Sequence, residues 1–590
     1  MKSKSKVLLS SIASIALCSS IAVGGTFALF TSESQVNIAV TSGKVSVMAS
    51  VNAESLKTYS MDVLQDAGKF ENGGTAILVD NQLNLNLMSP GDKATFTIDV
   101  ENNSTITVQY KLTWTVEGDL ADGLEILANG NELADVSWTE LAVGTNIASL
   151  AVSVELPEDA GNEYQNKTAS VSFLLEAVQG NAEIFDKWDG TPDTTWYNTT
   201  DTTFTLSTAE QLAGLSALSA SGNTFAGKTI VLDSSMDFDG KAWTPIKQFS
   251  GTFDGGEHTV SNFTLDGTSG RAGFIQNLGQ YPATVKNLTL SKVNGVAASK
   301  QYFGILAANG HTSVLENVHV IDCKIETAHK EAWVGGIYGY FNWTNASNCT
   351  VENLEIDASN GAMFLGGFSG NMDQDLEINN VDIIGLKITL DATNGACQVG
   401  GFTGQTQTGH RQPTFKNCDV TSLDIVAKGE VQLGGFVGDA GAHTIANNCT
   451  VEGKIDASGV TDNRSFIGGF IADSGWNNNE SSKGGHKLTN CSADVDIITG
   501  GSTAGGFIGS TTAYHSDGGN RNMPITMTNC TATGTVTVAD GASATIGGFA
   551  GEAERGTFKN CTTTSDTFIG KIWDGYTLNN DGNGTLTVTK

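Results

Sequence analysis

The side chains able to do chemistry are few, and most recur at fixed offsets from glycine-rich steps. The first 250 residues contain no histidine. His311, His410, His443 and His515 each fall six to eight residues after a Gly-Phe or Gly-Ile step, where they could line one loop edge. His410, His443 and His515 are the candidate metal ligands of such an edge, and a scatter of loop histidines is the plainer expectation. His486 belongs to a longer loop. Asp233, Asp237, Asp239 and Asp254 cluster, but Gly240 and Gly255 sit among them, so turn and cap roles suffice. No Asp or Glu repeats at one register as acid, base or calcium ligands from neighbouring strands would, so no catalytic residue is expected. Trp333, Trp343 and Trp476 flank glycine-rich corners and could stack on sugar rings or simply pack loops. Cys349, Cys418, Cys449, Cys491, Cys530 and Cys561 each follow an asparagine, and none forms a CxxC pair, so zinc-ribbon spacing is absent. Their periodic placement favours buried free thiols over disulfides, with Cys323 and Cys397 off the series. The glycine pairs precede strands rather than helices, which excludes a phosphate cradle.

The bulk composition narrows the class. Among 590 residues there are 70 Gly and only 7 Pro, with 16% charged residues, which suits an all-β extracellular protein better than a helical enzyme or an unfolded chain. A net charge of −31 argues against nucleic acid and anionic membrane surfaces as partners. It leaves room for loosely held Ca2+, and no other cofactor is implied. Lys2, Lys4 and Lys6, the apolar run Val7 to Val23 and the small-residue step Gly24-Gly25-Thr26-Phe27-Ala28 form an export signal, with cleavage expected after Ala28. No further stretch has transmembrane length, so no stable membrane insertion is expected once the signal is removed.

These residues must be positioned by strands. Residues 29–180 carry short alternating runs, plainest in Thr95-Phe96-Thr97-Ile98-Asp99-Val100, broken at Ser89-Pro90-Gly91-Asp92 and Leu156-Pro157-Glu158-Asp159. The spacing predicts an antiparallel β-sandwich. Residues 181–250 form a connector and a helical cap. Ser207 and Glu210 make a capping box for a helix over 208–220, with Leu212, Leu215 and Leu218 on one face and Gly222 at its end.

A repeat occupies 251–565. One mark is the Gly-Phe or Gly-Ile step at Phe274, Ile305, Ile337, Phe368, Phe402, Phe436, Phe470, Phe507 and Phe549. The other is an Asn-Cys-type step at Asn287, Asn317, Asn348, Asn380, Asn417, Asn448, Asn490, Asn529 and Asn560. The pattern predicts a right-handed parallel β-helix of about nine coils, with about three strand runs per coil. The aromatics should stack inside, the glycine pairs should allow close corners, and the Asn side chains should bond along an amide ladder. Residues 566–590 are read as a C-terminal cap.

Two family resemblances follow from particular residues. Gly435-Phe436-Val437-Gly438 with Asn448-Cys449-Thr450-Val451 closely resembles the GLUG repeat of bacterial surface and secreted proteins, a likeness that covers about residues 186–565. The repeat implies a β-helix scaffold and no chemistry of its own. Gly24 to Phe30 looks like the signal processed by the SipW-type peptidase of Gram-positive bacteria. With Pro90-Gly91-Asp92 and Asn102-Asn103-Ser104 it makes residues 29–180 similar to the TasA/camelysin group of surface β-sandwich proteins. Camelysin is described as a metalloprotease, but HExxH is absent here, so that activity is not carried over.

The leading expectation is a non-enzymatic exported protein of a Gram-positive cell surface or extracellular matrix, displaying its β-helix for adhesion or biofilm-matrix assembly. Its partners would be host or bacterial surface glycans or proteins, or other matrix subunits. The alternative is a polysaccharide-binding or polysaccharide-degrading β-helix. Its discriminator is a groove lined by acids and aromatics from adjacent coils.

Overall fold

The computed structural model describes residues 30–590, except 32–37, 43–44, 80–81, 104–106, 129–130, 133–138, 143–147, 162–163, 165–166, 180–185, 189, 269, 375, 408–411, 442, 475–484 and 512–523. The export signal with Ala28 lies outside the described residues, as do His410, Trp476 and His515. The chain is nearly all β and divides into two compact units, residues 1–184 and 185–590. Among the described residues no helix is long and apolar enough to cross a membrane.

Alternation builds the first unit. Strand Asp92–Asn102 buries every second residue, so Phe96, Ile98 and Val100 face inward while Thr95, Thr97 and Asp99 face out. It pairs antiparallel with Val45–Ser60 on one side and Ala148–Glu155 on the other. A second antiparallel sheet centres on Thr168–Gln179, between Val108–Glu117 and Gln82–Asn86. The two sheets share one core, in which Phe96 meets Phe173 edge-to-face at 5.5 Å. The expected break at Pro90-Gly91-Asp92 is a turn with Gly91 at φ 86°, held by Gly91 N donating to Leu156 O (2.8 Å).

Among the described residues the second unit holds one helix, Ala209–Ala220. Its N-cap differs from the predicted Ser207/Glu210 box by one residue. Thr208 Oγ1 accepts from Gln211 N at 3.3 Å, and the Gln211 side chain reaches back to Ser207 N at 2.8 Å. Thr and Gln make the same reciprocal pair as Ser and Glu, so the neighbouring frame competes on equal terms. Leu212 and Leu215 are fully buried. The opposite side is covered by the connector: a Cβ on Gly214 would stand 1.8 Å from Asp193 O, and Trp196 Nε1 donates to Gln211 O.

The described strands of this unit, from Asp186–Lys187 on, form one sheet of 41 strands, in which all but the last hairpin pair in parallel with their equivalents one coil away. This is a β-solenoid. The coils carry three to five strand runs, three where long runs such as Ala307–Ile321 and Asp419–Gly434 stay unbroken. One coil of four contains Ile445–Asn447, Thr450–Gly459, Phe466–Gly468 and Ile471–Asp473. The glycine pair splits one side of the coil into two runs that fold back on each other. A Cβ on Gly434 would lie 1.9 Å from Val437 O of its own turn, and one on Gly435 would lie 2.1 Å from Gly469 O of the next coil. The first glycine is thus required by its own turn and the second by the coil stacked on it.

The inward marks stack as predicted. Phe402, Phe436, Phe470 and Phe507 lie face to face at 4.8–4.9 Å, and Phe368 joins Phe402 at 5.1 Å. Phe549 continues the stack at 4.9 Å and Phe568 adds a further ring at 4.7 Å, so the column outlasts the boundary predicted at 565. The step there reads Thr567-Phe568 and lacks the glycine. No further parallel coil stacks on Thr567, so a Cβ is tolerated. Instead the hairpin Thr577–Asn580 and Thr585–Thr589 lays its second strand antiparallel on Gly556–Lys559.

Each Asn of the second mark adopts a left-handed backbone, with φ between 50° and 56°, a conformation that asparagine tolerates better than most residues. Their amides bond coil to coil: Asn448 to Asn417, Asn490 to Asn448, Asn529 to Asn490 and Asn560 to Asn529, at 3.0–3.3 Å. Earlier in the array, Asn317 Oδ1 instead meets His319 Nε2.

Candidate functional site

The residue following each Gly-Phe-x-Gly-type step falls in one register. Reading coil by coil, the register runs Asn277, Asn309, Tyr340, Asn371, Gln405, Asp439, Asp473, Ser510, Glu552 and Lys571. Every member is polar. The preceding glycine makes this possible by letting the run lie against the Gly-Gly run of the previous coil. A Cβ on Gly370 would stand 2.7 Å from Val334 N, and one on Gly438 2.7 Å from Val399 N.

A second register flanks the first. It holds Tyr302, Trp333, Phe364, Gln398, Gln432, Phe466 and Thr503, two residues before the first glycine of each pair or, for Tyr302, before Gly304. The two registers touch directly at Tyr340, whose ring lies 5.2 Å from Tyr302 and 5.6 Å from Trp333. Phe364 meets Trp333 at 4.7 Å, and the Arg271 guanidinium lies over Tyr302 at 4.8 Å. Aromatic and amide side chains therefore fill the early coils of this strip, and acids its later ones.

The acids carry the electrostatic strain. Asn371 Nδ2 donates to Gln405 Oε1, and Gln405 Nε2 donates to Asp439 Oδ2, both at 2.7 Å. Burial pushes Asp439 up to about 6 against that last hydrogen bond. Burial, then the charges of Asp439 and Glu552, push Asp473 well above the usual carboxylate range. Asp473 Oδ1 is buried without a hydrogen-bond partner. Ser510 Oγ donates to Glu552 Oε1 at 3.2 Å. Two nearly buried carboxylates on successive coils cannot both ionise cheaply, so one holds a proton near neutral pH.

Beside Asp473 lies a histidine pair. His443 and His486 are fully buried on adjacent coils. Gly485 N donates to His443 Nδ1 (3.2 Å), and Thr444 N donates to His486 Nδ1 (3.3 Å). With Nδ1 accepting, the neutral His486 ring donates from Nε2 to Ser474 O (3.2 Å). Burial, and then His443, push His486 down to about 4. Of the predicted histidine edge, His410 and His515 lie outside the described residues, which leaves His311 and His443. His311 lies about four coils from His443, on the order of 19 Å, and instead meets Asn342 and the Trp343 ring. Among the described residues no group of three or more His, Cys, Asp or Glu could hold a metal ion.

The early acids take turn and pairing roles. Asp254 pairs with Lys286 (3.0 Å) and accepts from Asn287, while Asp237 Oδ1 accepts from Asp239 N and Asn262 Nδ2. Of the tryptophans, Trp333 belongs to the aromatic register and Trp343 is 44% exposed. Sequence reasoning missed the acid register because acids fill only three of its places. The usable signal was polarity at the position after each Gly-Phe-x-Gly, not acidity alone.

With this geometry in view, the comparisons with known proteins follow. The GLUG motif family matches residues 500–537, so the chain carries the GLUG motif. No curated protein matches the sequence. Among solved structures, the catalytic domain of a GH87 α-1,3-glucanase in complex with nigerose is similar at 10% identity and a TM-score of 0.22, covering 79% of this chain and 91% of that one. The Agl-KA catalytic domain is similar at 10% identity and a TM-score of 0.19, with the same coverage. Tailspike protein 3 of bacteriophage CBA120 follows at 13% identity and 0.18, covering 65% of this chain and 62% of that one. Scores of this size fix no residue correspondence. The expectation of a non-enzymatic adhesin is corrected on the geometry of this chain: the acid register whose absence motivated it is present, with Asp439 and Asp473 side by side on successive coils.

Proposed function

We propose that the solenoid binds and cleaves polysaccharide along the strip formed by the two registers. The observation that carries this is the acid pair Asp439 and Asp473 on successive coils, in line with the aromatic cluster at Tyr302, Trp333 and Tyr340. Rings offer faces to sugar C–H groups, and Asn371 and Gln405 offer amide donors and acceptors. Asp473, held protonated, gives its proton to the glycosidic oxygen as the C–O bond breaks. Asp439, one strand away at about 4.8 Å, bonds to the anomeric carbon as that C–O bond breaks, and a water that gives its proton to the Asp473 carboxylate then displaces Asp439.

The rest of the chain supports an exported setting. The Lys2 to Ala28 segment reads as a signal of the Gram-positive SipW type, and the GLUG motif fits a bacterial surface or secreted protein. We read the two antiparallel sheets as a TasA/camelysin-like sandwich, the coil as right-handed and the helix as its cap. Partners are then glycans of a cell surface or matrix, and the acidic surface holds Ca2+ loosely.

The test is release of soluble reducing ends from a panel of α-glucans, β-glucans, chitin and peptidoglycan, with pull-down on the insoluble members. Turnover is expected on one class, falling roughly 10²- to 10⁴-fold in Asp473→Asn and Asp439→Asn. Neither binding nor release across the panel would sink the reading.

A further inference from the structure

The polysaccharide strip leaves one set of nucleophiles unused. Cys418, Cys449, Cys491, Cys530 and Cys561 occupy one core register on five consecutive coils. The residues after them pair in register (Asp419 with Thr450, then Ser492, Thr531 and Thr562), and Thr531 N and Thr562 N bond the carbonyls of Cys491 and Cys530 at 3.0 Å. All five are free thiols, and each donates to the carbonyl two residues before it, so the five side chains share one orientation along the row. Four are buried, and only Cys561, at the C-terminal end of the row, is partly exposed. The row stops at the other end, because Val381 fills the same register between Cys349 and Cys418. Strands about 4.8 Å apart put neighbouring Cα atoms within the ~4.4–6.8 Å that a disulfide spans.

We propose that Cys561 is a thiol-oxidation site from which a disulfide is handed inward along this row. The oxidant is a low-molecular-weight disulfide such as glutathione disulfide. The Cys561 thiol attacks it and forms a mixed disulfide, and the expelled glutathione sulfur takes up the Cys561 proton and leaves as a thiol. Cys530 then attacks Cys561 Sγ, which expels the second glutathione thiolate, and the Cys530 proton leaves with it. Cys491 next attacks Cys530 Sγ, and the displaced Cys561 thiolate takes up the Cys491 proton. Each later step conserves one disulfide and moves it by one coil. Exchange needs three sulfurs in line, and a straight row on in-register parallel strands supplies that arrangement. Five thiols hold at most two disulfides, so one thiol always remains to attack.

The experiment uses the whole reduced chain with one equivalent of glutathione disulfide, sampled over time, trapped with iodoacetamide and mapped by peptide mass spectrometry. The Cys530–Cys561 disulfide is expected first. Cys491–Cys530 and Cys449–Cys491 follow, while Cys561 becomes alkylatable again in the folded protein. Cys349, in the same register but beyond Val381, stays reduced. In Cys561→Ser, with thermal unfolding unchanged, the inner thiols stay reduced on the same timescale. A disulfide that remains at Cys530–Cys561, oxidation of Cys349 at the rate of the row, or oxidation of the row in Cys561→Ser would each overturn the proposal.

Discussion

Asp439 shows what single residues contribute and cost. Its carboxyl titrates near 6 in the fold and near 3.8 when unfolded, because burial disfavours the charge. A folded pKa above the unfolded one means that the native state binds the proton more tightly. Stability on this account is full below about pH 4 and is lost as pH rises through about 6. Asp439→Asn keeps the bond to Gln405 and removes the charge. It should stabilise the protein at pH 7 by up to about 3 kcal/mol, with the gain vanishing near pH 4. Urea unfolding at the two pH values measures this. The same variant should lose activity, so a stabilised but inactive protein is the expected signature. At this scale the sequence was half legible. Phe402 and Asn448 announced their roles by repetition. Asp439 and Asp473 did not, because neighbouring coils put Gln405 and Ser510 in their place, and only the strand register reveals that these belong together.

At the scale of the element, the glycine pair decides the coil. Gly435→Ala places a Cβ against the Gly469 carbonyl, a backbone atom that cannot swing away. A cost of at least about 2 kcal/mol is expected from urea titration. Thr567→Ala, at the equivalent place in the last coil, should change stability by no more than about 0.5 kcal/mol. Gly214→Ala in the helix should behave like Gly435→Ala, since Asp193 O lies in its way. Helix and strand positions were readable from Leu212, Leu215 and the Gly-Phe steps. The exact cap was not, because Thr208/Gln211 and Ser207/Glu210 satisfy the same rule one residue apart. The split of one side of the coil at the glycine pair was hidden for a related reason. A glycine pair marks a corner in sequence, and only the backbone shows that the chain folds back there.

At the scale of the whole chain, repetition made the solenoid legible and the end of the repetition made its boundary obscure. The last coil carries Thr567-Phe568 in place of Gly-Phe and pairs its neighbour with an antiparallel strand. That strand covers a row of backbone donors and acceptors that would otherwise be an open sheet edge. Deleting residues 573–590 should therefore raise the apparent mass on size-exclusion chromatography through edge-to-edge association, while the strip around Asp439 and Asp473 keeps its activity. Unchanged elution would mean that Gly556–Lys559 is protected by something else.

The second glycine of each pair answers to the coil that follows it, not to its own. The chain therefore records, at every turn, whether another turn comes next. A gene could grow or shrink by whole coils inside the array without violating any local rule, since each junction meets glycine with glycine. Growth past Thr567 would need that threonine to revert first. Growth would also have to displace the closing hairpin on Gly556–Lys559, and the reach of the surface changes by about 4.8 Å with each unit gained or lost.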